Sequence, residues 1–118
     1  MVAHVVLFRP RPDLTDRDRQ VFVVALERAL REIPSIRRAN VGRRLRHGQS
    51  YESAMVEDLE YGAVLEFDDL AGLRTYLEHP AHIELGKCFN KSVAAACVYD
   101  YEMQVGTDLT GPPAIGDG

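Results

Sequence analysis

Apolar residues along this chain change their spacing from strand-like to helical and back, and the changes divide it into four strands and three helices. From Ala3 to Phe8 they occupy odd and even positions alike, the pattern of a strand covered on both faces. Pro10 and Pro12 end this run, and Thr15 then offers a helix N-cap with Asp16 and Asp18 in the first turn, where negative charge suits the helix dipole. Phe22, Ala25, Leu26, Ala29, Leu30 and Ile33 recur at the three-and-four spacing of one helical face, with Arg17, Arg19, Glu27, Arg28 and Arg31 on the others, and Pro34 closes the helix. Ile36 to Leu45 predicts a second, weaker strand, followed by a polar loop through Gly48 and Ser50 and an ambiguous segment near Met55. Tyr61 to Phe67 is a clearer strand, bounded by Asp68 and Asp69. Leu70 to Leu77 predicts a short helix, and Pro80 suits the first turn of another running to about Ser92. Cys97 to Gln104 is the last predicted strand. Residues 105–118, rich in Gly and Pro without apolar periodicity, are expected to be a disordered tail.

Strand, helix, strand, strand, helix, strand is the split βαβ pattern, so the expected fold is an α+β ferredoxin-like sandwich over residues 1–104, its second helical region split at Pro80. Helices on one side of a four-stranded sheet leave the other face uncovered. Neither set of alternating residues in Tyr61–Phe67 is strongly polar, so the uncovered face calls for a partner. A homodimer with paired sheets is expected, leaving a small cavity between each sheet and its helices.

Composition narrows the setting. The chain of 118 residues with 46% hydrophobic content can bury a core without disulfide or metal staples. A formal net charge of −4 argues against nucleic-acid partners. The cluster Arg37, Arg38, Arg43, Arg44 and Arg46 is read as a solvated strand and loop in preference to an anion site. Cys88 and Cys97 stand outside any metal or redox spacing, no basic-plus-apolar leader opens the chain, and no apolar run approaches the roughly 20 residues of a membrane span. A cytoplasmic protein with reduced thiols and no membrane partner is expected.

The candidate chemistry lies in Tyr76-Leu77-Glu78-His79-Pro80-Ala81-His82, where a phenol and two imidazoles meet at a helix break. Imidazole titrates near neutrality and a phenol can donate to a developing oxyanion, a pairing suited to proton transfer. Each group also has a purely structural reading. His79 precedes Pro80 and is biased toward extended backbone, which suits capping of the next helix. Tyr76 could hydrogen-bond a buried carbonyl, as buried tyrosines do, and His4, sharing a strand face with Val6 and Phe8, could be a satisfied core histidine. His79 and His82 could share a metal, but no third ligand has a compelling spacing, so no metal site is expected.

The opening His4-Val5-Val6-Leu7-Phe8, the Gly42 region, Glu66-Phe67, the Tyr76–His82 segment and the closing Val98-Tyr99-Asp100-Tyr101 together resemble the stress-responsive α/β-barrel domain (Dabb) family over roughly residues 2–103. The resemblance implies a dimeric α+β barrel of ferredoxin-like subunits. Polyketide-cyclising members of that family carry a catalytic Tyr and His that match Tyr76 and His82, and their recurring strand His matches His4. In this light His82 would remove a proton from a methylene between carbonyls and Tyr76 would hold the carbonyl oxygen, with no cofactor. His4, His79 and Tyr61 are the candidate ligand-binding residues. The loop from Arg46 to Glu60 is longer than in those members, and Val93 stands where they carry an aromatic residue.

Three classes of function follow: an enzyme acting on carbonyl compounds by acid–base chemistry; a module that binds a small apolar molecule, sensitive to cavity-filling changes at Ala63 or Val64; and a structural, stress-protective dimer without catalysis. Similar barrels in cofactor-free monooxygenases keep oxygen chemistry as an alternative within the first class, by fold analogy.

Overall fold

The computed structural model describes residues 1–107 and 109–116. Its elements are β1 (Val2–Pro10), α1 (Asp16–Glu32), β2 (Arg38–Arg43), α2 (Tyr51–Ala54), β3 (Tyr61–Phe67), α3 (Leu70–Glu78), α4 (Pro80–Ser92) and β4 (Val93–Glu102). The strands form one antiparallel sheet in the order β2-β3-β1-β4, the ferredoxin-like arrangement expected from the sequence. Of residues 105–118, those described carry no helix or strand. Among the described residues no helix is long and apolar enough to cross a membrane.

Helix α1 starts where side-chain chemistry sets it. The Thr15 hydroxyl accepts from the Asp18 amide at 3.1 Å and the Thr15 amide donates to the Asp18 carboxylate at 3.2 Å, so two orphan donors are satisfied reciprocally. Thr15→Ala is expected to cost about 1 kcal/mol, read as a lowered urea midpoint with an unchanged slope. The core lies between this helix layer and one sheet face: Ala25, Ala29 and Ile33 from the α1 side meet Ala63, Leu65 and Phe67 of β3 and Leu73, Tyr76, Ala81 and Leu85 of α3 and α4.

The strand boundaries differ from the sequence expectation: β2 is shorter, Arg38–Arg43 against Ile36–Leu45, and β4 ends at Glu102 rather than Gln104, while two further differences have a cause in the pairing. Strand β4 begins at Val93, four residues before Cys97, because Val93, Ala95 and Ala96 pair with β1 and Ala94 is carried between them at the register shift; tertiary pairing overrides the helical preference of alanine there. Strand β1 extends to Pro10, which the sheet tolerates because the register shifts between Arg9 and Pro10.

Within one chain only one of the two faces of β1 expected to be covered lies under the helices. His4, Val6 and Phe8 share the helix side, whereas Val5 and Leu7 fall on the other side with their neighbours Val64 and Tyr99. Leu7, Val64, Tyr99 and Tyr101 are exposed, so the chain by itself leaves an apolar and aromatic sheet face uncovered. Val64 therefore cannot fill a sheet–helix cavity; of the pair Ala63 and Val64, only Ala63 faces that space.

Candidate active site

The turn between α3 and α4 is the local structure on which the site is built. Pro80 cannot donate a backbone hydrogen bond and disfavours helical geometry at the residue before it. His79 is accordingly extended, at φ −66° and ψ 138°, ending α3 and opening α4. Its Nδ1 accepts from the Ala81 amide at 3.0 Å, and its carbonyl accepts from the amides of His82 and Ile83 at 2.9 and 3.0 Å. His79 is thus the N-cap of α4, and it does not line the cavity beneath the helices.

That cavity measures about 230 Å³ and is walled by Val6, Val41, Ala63, Leu65, Leu85 and Phe89, among other apolar groups. Its polar lining side chains are His4, Tyr76 and His82. His82 packs against Tyr76 with ring centroids 4.5 Å apart, and His4 meets the same phenol edge-on at 5.6 Å. Three groups from β1, α3 and α4 therefore converge at one end of an otherwise apolar space, the usual layout of a small-molecule site.

Each polar group has a defined chemical state. His82 Nδ1 lies 3.0 Å from the Leu77 carbonyl; a carbonyl only accepts, so Nδ1 carries the proton and Nε2 is left as the basic nitrogen. Burial holds the His82 pKa below its ordinary 6.5, opposed by the Leu77 hydrogen bond and reinforced by the nearby His4. Tyr76 is almost wholly buried, and burial pushes its pKa up to about 12, so it stays a phenol donor at neutral pH. Its hydroxyl has no hydrogen-bond partner among the described residues, unlike the carbonyl-bonded tyrosine that the sequence also allowed. His4, 5% exposed, places Nδ1 2.5 Å from a carboxylate oxygen of Asp100, so Nδ1 donates to the carboxylate and the ring is held in one orientation.

Tyr61 stands one lobe away. It stacks on Phe8 at 5.6 Å and borders an adjoining space of about 290 Å³ that shares Phe8, Phe22, Leu26 and Val41 with the first. Asp100 had no individual role in the sequence reading. Its partnership with His4 spans 96 residues and depends on β4 lying beside β1, so no local spacing could signal it. The aromatic wall of Phe8, Phe22 and Phe89, with centroids 5.5 to 6.2 Å apart, is likewise assembled from β1, α1 and α4, so no local spacing signals it. No three His, Cys, Asp or Glu side chains are grouped to hold a metal ion among the described residues. A larger cleft of about 400 Å³, lined by Arg11, Asp13, Asp18 and Lys91 among others, includes none of the three convergent groups.

Fold and pocket together define a ferredoxin-like α+β domain with an internal apolar site. The chain belongs to the stress responsive A/B barrel domain (Dabb) family, whose model matches residues 2–103. No curated protein sequence matches it. A dimeric protein of unknown function and ferredoxin-like fold from Bacteroides fragilis is 27% identical, with 86% of this chain and 95% of that one covered at a TM-score of 0.61. A Dabb family protein with a ferredoxin-like fold from Mesorhizobium loti is 20% identical over 87% of this chain and 96% of that one, with a TM-score of 0.68. A hydroxynitrile lyase from Passiflora edulis is similar in fold at 15% identity, covering 91% of this chain and 96% of that one with a TM-score of 0.76.

Proposed function

We propose that the protein is a homodimer that binds a small, mainly apolar carbonyl compound in the sheet–helix cavity and transfers a proton on it without a cofactor. The observation that carries this reading is the meeting of a neutral imidazole and an unpaired phenol, His82 and Tyr76, at one end of an apolar space. His82 Nε2 takes a proton from a carbon flanked by two carbonyls, the C–H electron pair moves into the enolate, and the Tyr76 hydroxyl donates to the enolate oxygen. Return of a proton from His82 to the carbon completes exchange; alternatively the enolate carbon attacks a further carbonyl of the same molecule, and the alkoxide that forms takes the proton from His82, which completes an aldol-type ring closure and restores the neutral imidazole. His4 lies against the other side of the phenol, where its Nε2 serves as a second contact for a polar substrate atom. Tyr61 contributes apolar lining to the adjoining lobe, and His79 supports the site by fixing the helix junction.

The dimer is supported by the uncovered sheet face and by the dimeric Bacteroides fragilis protein of similar fold. Cytoplasmic placement with reduced thiols belongs to the same reading; both cysteines are unpaired. Val64→Arg puts an unpaired charge at the centre of the proposed seam and is expected to turn a dimer into a monomer in native mass spectrometry. A wild-type monomer would overturn the assembly.

The reaction is tested by deuterium exchange at the methylene of small 1,3-diketones, followed by proton NMR. Exchange faster than that produced by equal imidazole supports catalysis. Tight ligand binding without exchange would instead identify a binding module. The acid limb of the exchange rate should lie below pH 6.5, because the lowered pKa keeps His82 neutral further into acid. Linkage has the same sign: between the folded value and 6.5 the unfolded chain binds more protons, so stability is retained above 6.5 and lost as the pH falls through that window. The carboxylates Asp58 and Glu52, lowered by hydrogen bonds from Arg44 and from the His47 amide respectively, affect a separate window at more acidic pH. Thermal melts between pH 5.5 and 7.5 should therefore flatten in His82→Gln.

A further inference from the structure

The end of the pocket remote from His82 has its own chemistry. On the helix side of the sheet, residues align in rows across the strands: His4 with Leu65, Ala39 and Asp100; Val6 with Ala63, Val41 and Val98; Phe8 with Tyr61 and Arg43. Four residues of β1 separate the first row from the third, about 13 Å along the strand, the reach of roughly ten extended carbon atoms. The middle row is apolar, and Phe22 and Leu26 of α1 line both lobes of the space above it.

The third row ends in positive charge. Arg19 of α1 is the charged side chain lining the second lobe. Tyr61 joins this lobe to a shallow cleft of about 190 Å³ formed with Arg43, Arg44, Arg46 and Glu60. Arg44 and Arg46 are both committed to one carboxylate, Asp58, while Arg37 pairs with Asp68 and Arg38 with Glu66. Neither Arg19 nor Arg43 has an ion-pair partner among the described residues. The arginine cluster of the sequence is thus mostly internally neutralised; what it leaves over lies at the mouth of the apolar lobe, on the side of the sheet that carries the pocket.

We infer that the ligand is a medium-chain compound with a carbonyl group at its inner end, against Tyr76 and His82, and a carboxylate at its outer end, held by Arg19 and Arg43. This rests on the proposed pocket reading and adds a second polar subsite to it. The apolar middle row takes the chain, and the two guanidinium groups take the charge that an apolar lobe alone would reject.

The test uses 9-oxodecanoate and its methyl ester, which share chain and ketone and differ in charge, with binding to the full-length protein measured by calorimetry. At low ionic strength the acid should bind about fivefold more tightly than the ester, as one solvent-accessible ion pair allows, and the ratio should shrink in 0.5 M salt. Arg19→Gln and Arg43→Gln should each bring the ratio toward one, whereas Arg17→Gln, on the same helix but not lining the pocket, should leave it unchanged. Ester binding as tight as acid binding, or a ratio insensitive to both substitutions, overturns the anionic subsite while leaving the pocket intact. Failure of both compounds to bind overturns the subsite together with the pocket reading beneath it.

Discussion

His82→Ala is expected to slow deuterium exchange at an activated methylene by about 10²- to 10⁴-fold, the range of a positioned general base, while the protein keeps the native mass of the wild type. The physical ground is the tautomer. Leu77 accepts from Nδ1, so the lone pair resides on Nε2, and burial keeps that nitrogen unprotonated at neutral pH. Alanine removes the base but leaves α4 capped by His79 and started by Pro80. Tyr76→Phe should act differently: the enolate loses a donor, costing about 10²-fold, while the acid limb set by His82 stays where it was. Equal rates in wild type and His82→Ala, with both proteins folded, would remove catalysis from the proposal and leave ligand binding.

Much of this site could be read from the chain because its determinants are local. The Tyr76–His82 segment contains its own break at Pro80, its own cap at His79 and the two groups proposed to react, all within seven residues. Thr15 and Asp18 likewise define the start of α1 by contacts within one turn. What escaped was non-local. Asp100 meets His4 only because β4 pairs with β1. Ala94, Ala95 and Ala96 are strand for the same reason. Arg43 looks like its four neighbours in sequence, yet their carboxylate partners at positions 58, 66 and 68 distinguish it only once the strands and loop are in place. His79 shows the opposite limit: the same two residue signals, a histidine and a following proline, fit both a ligand contact and a cap, and the Ala81 amide occupies its Nδ1.

Phe67→Ala is expected to destabilise the fold by about 3–5 kcal/mol, as for other fully buried aromatic truncations, a large share of the roughly 5–15 kcal/mol that holds a domain together. Phe67 is 0% exposed at the end of β3, with its ring 5.3 Å from that of Tyr76, so truncation opens a void directly behind the phenol. Phe67→Leu keeps most of the volume and should cost less than half as much. Urea midpoints measure both, and a cost below about 1 kcal/mol for the alanine variant would mean that the core collapses around the gap. Catalysis adds a second readout. Ile33, also buried at 2% exposure, does not line the cavity, and Ile33→Ala should lower stability without altering the exchange rate of the folded fraction. Phe67→Ala should lower both, because Phe67 lies two residues before Asp69, the N-cap of the helix that carries Tyr76, and its ring is what the phenol rests on. A matched loss of stability with an unmatched loss of rate would show that the strand end and the proposed catalytic turn form one mechanical unit, in which the residue that anchors the core also sets where the Tyr76 phenol stands.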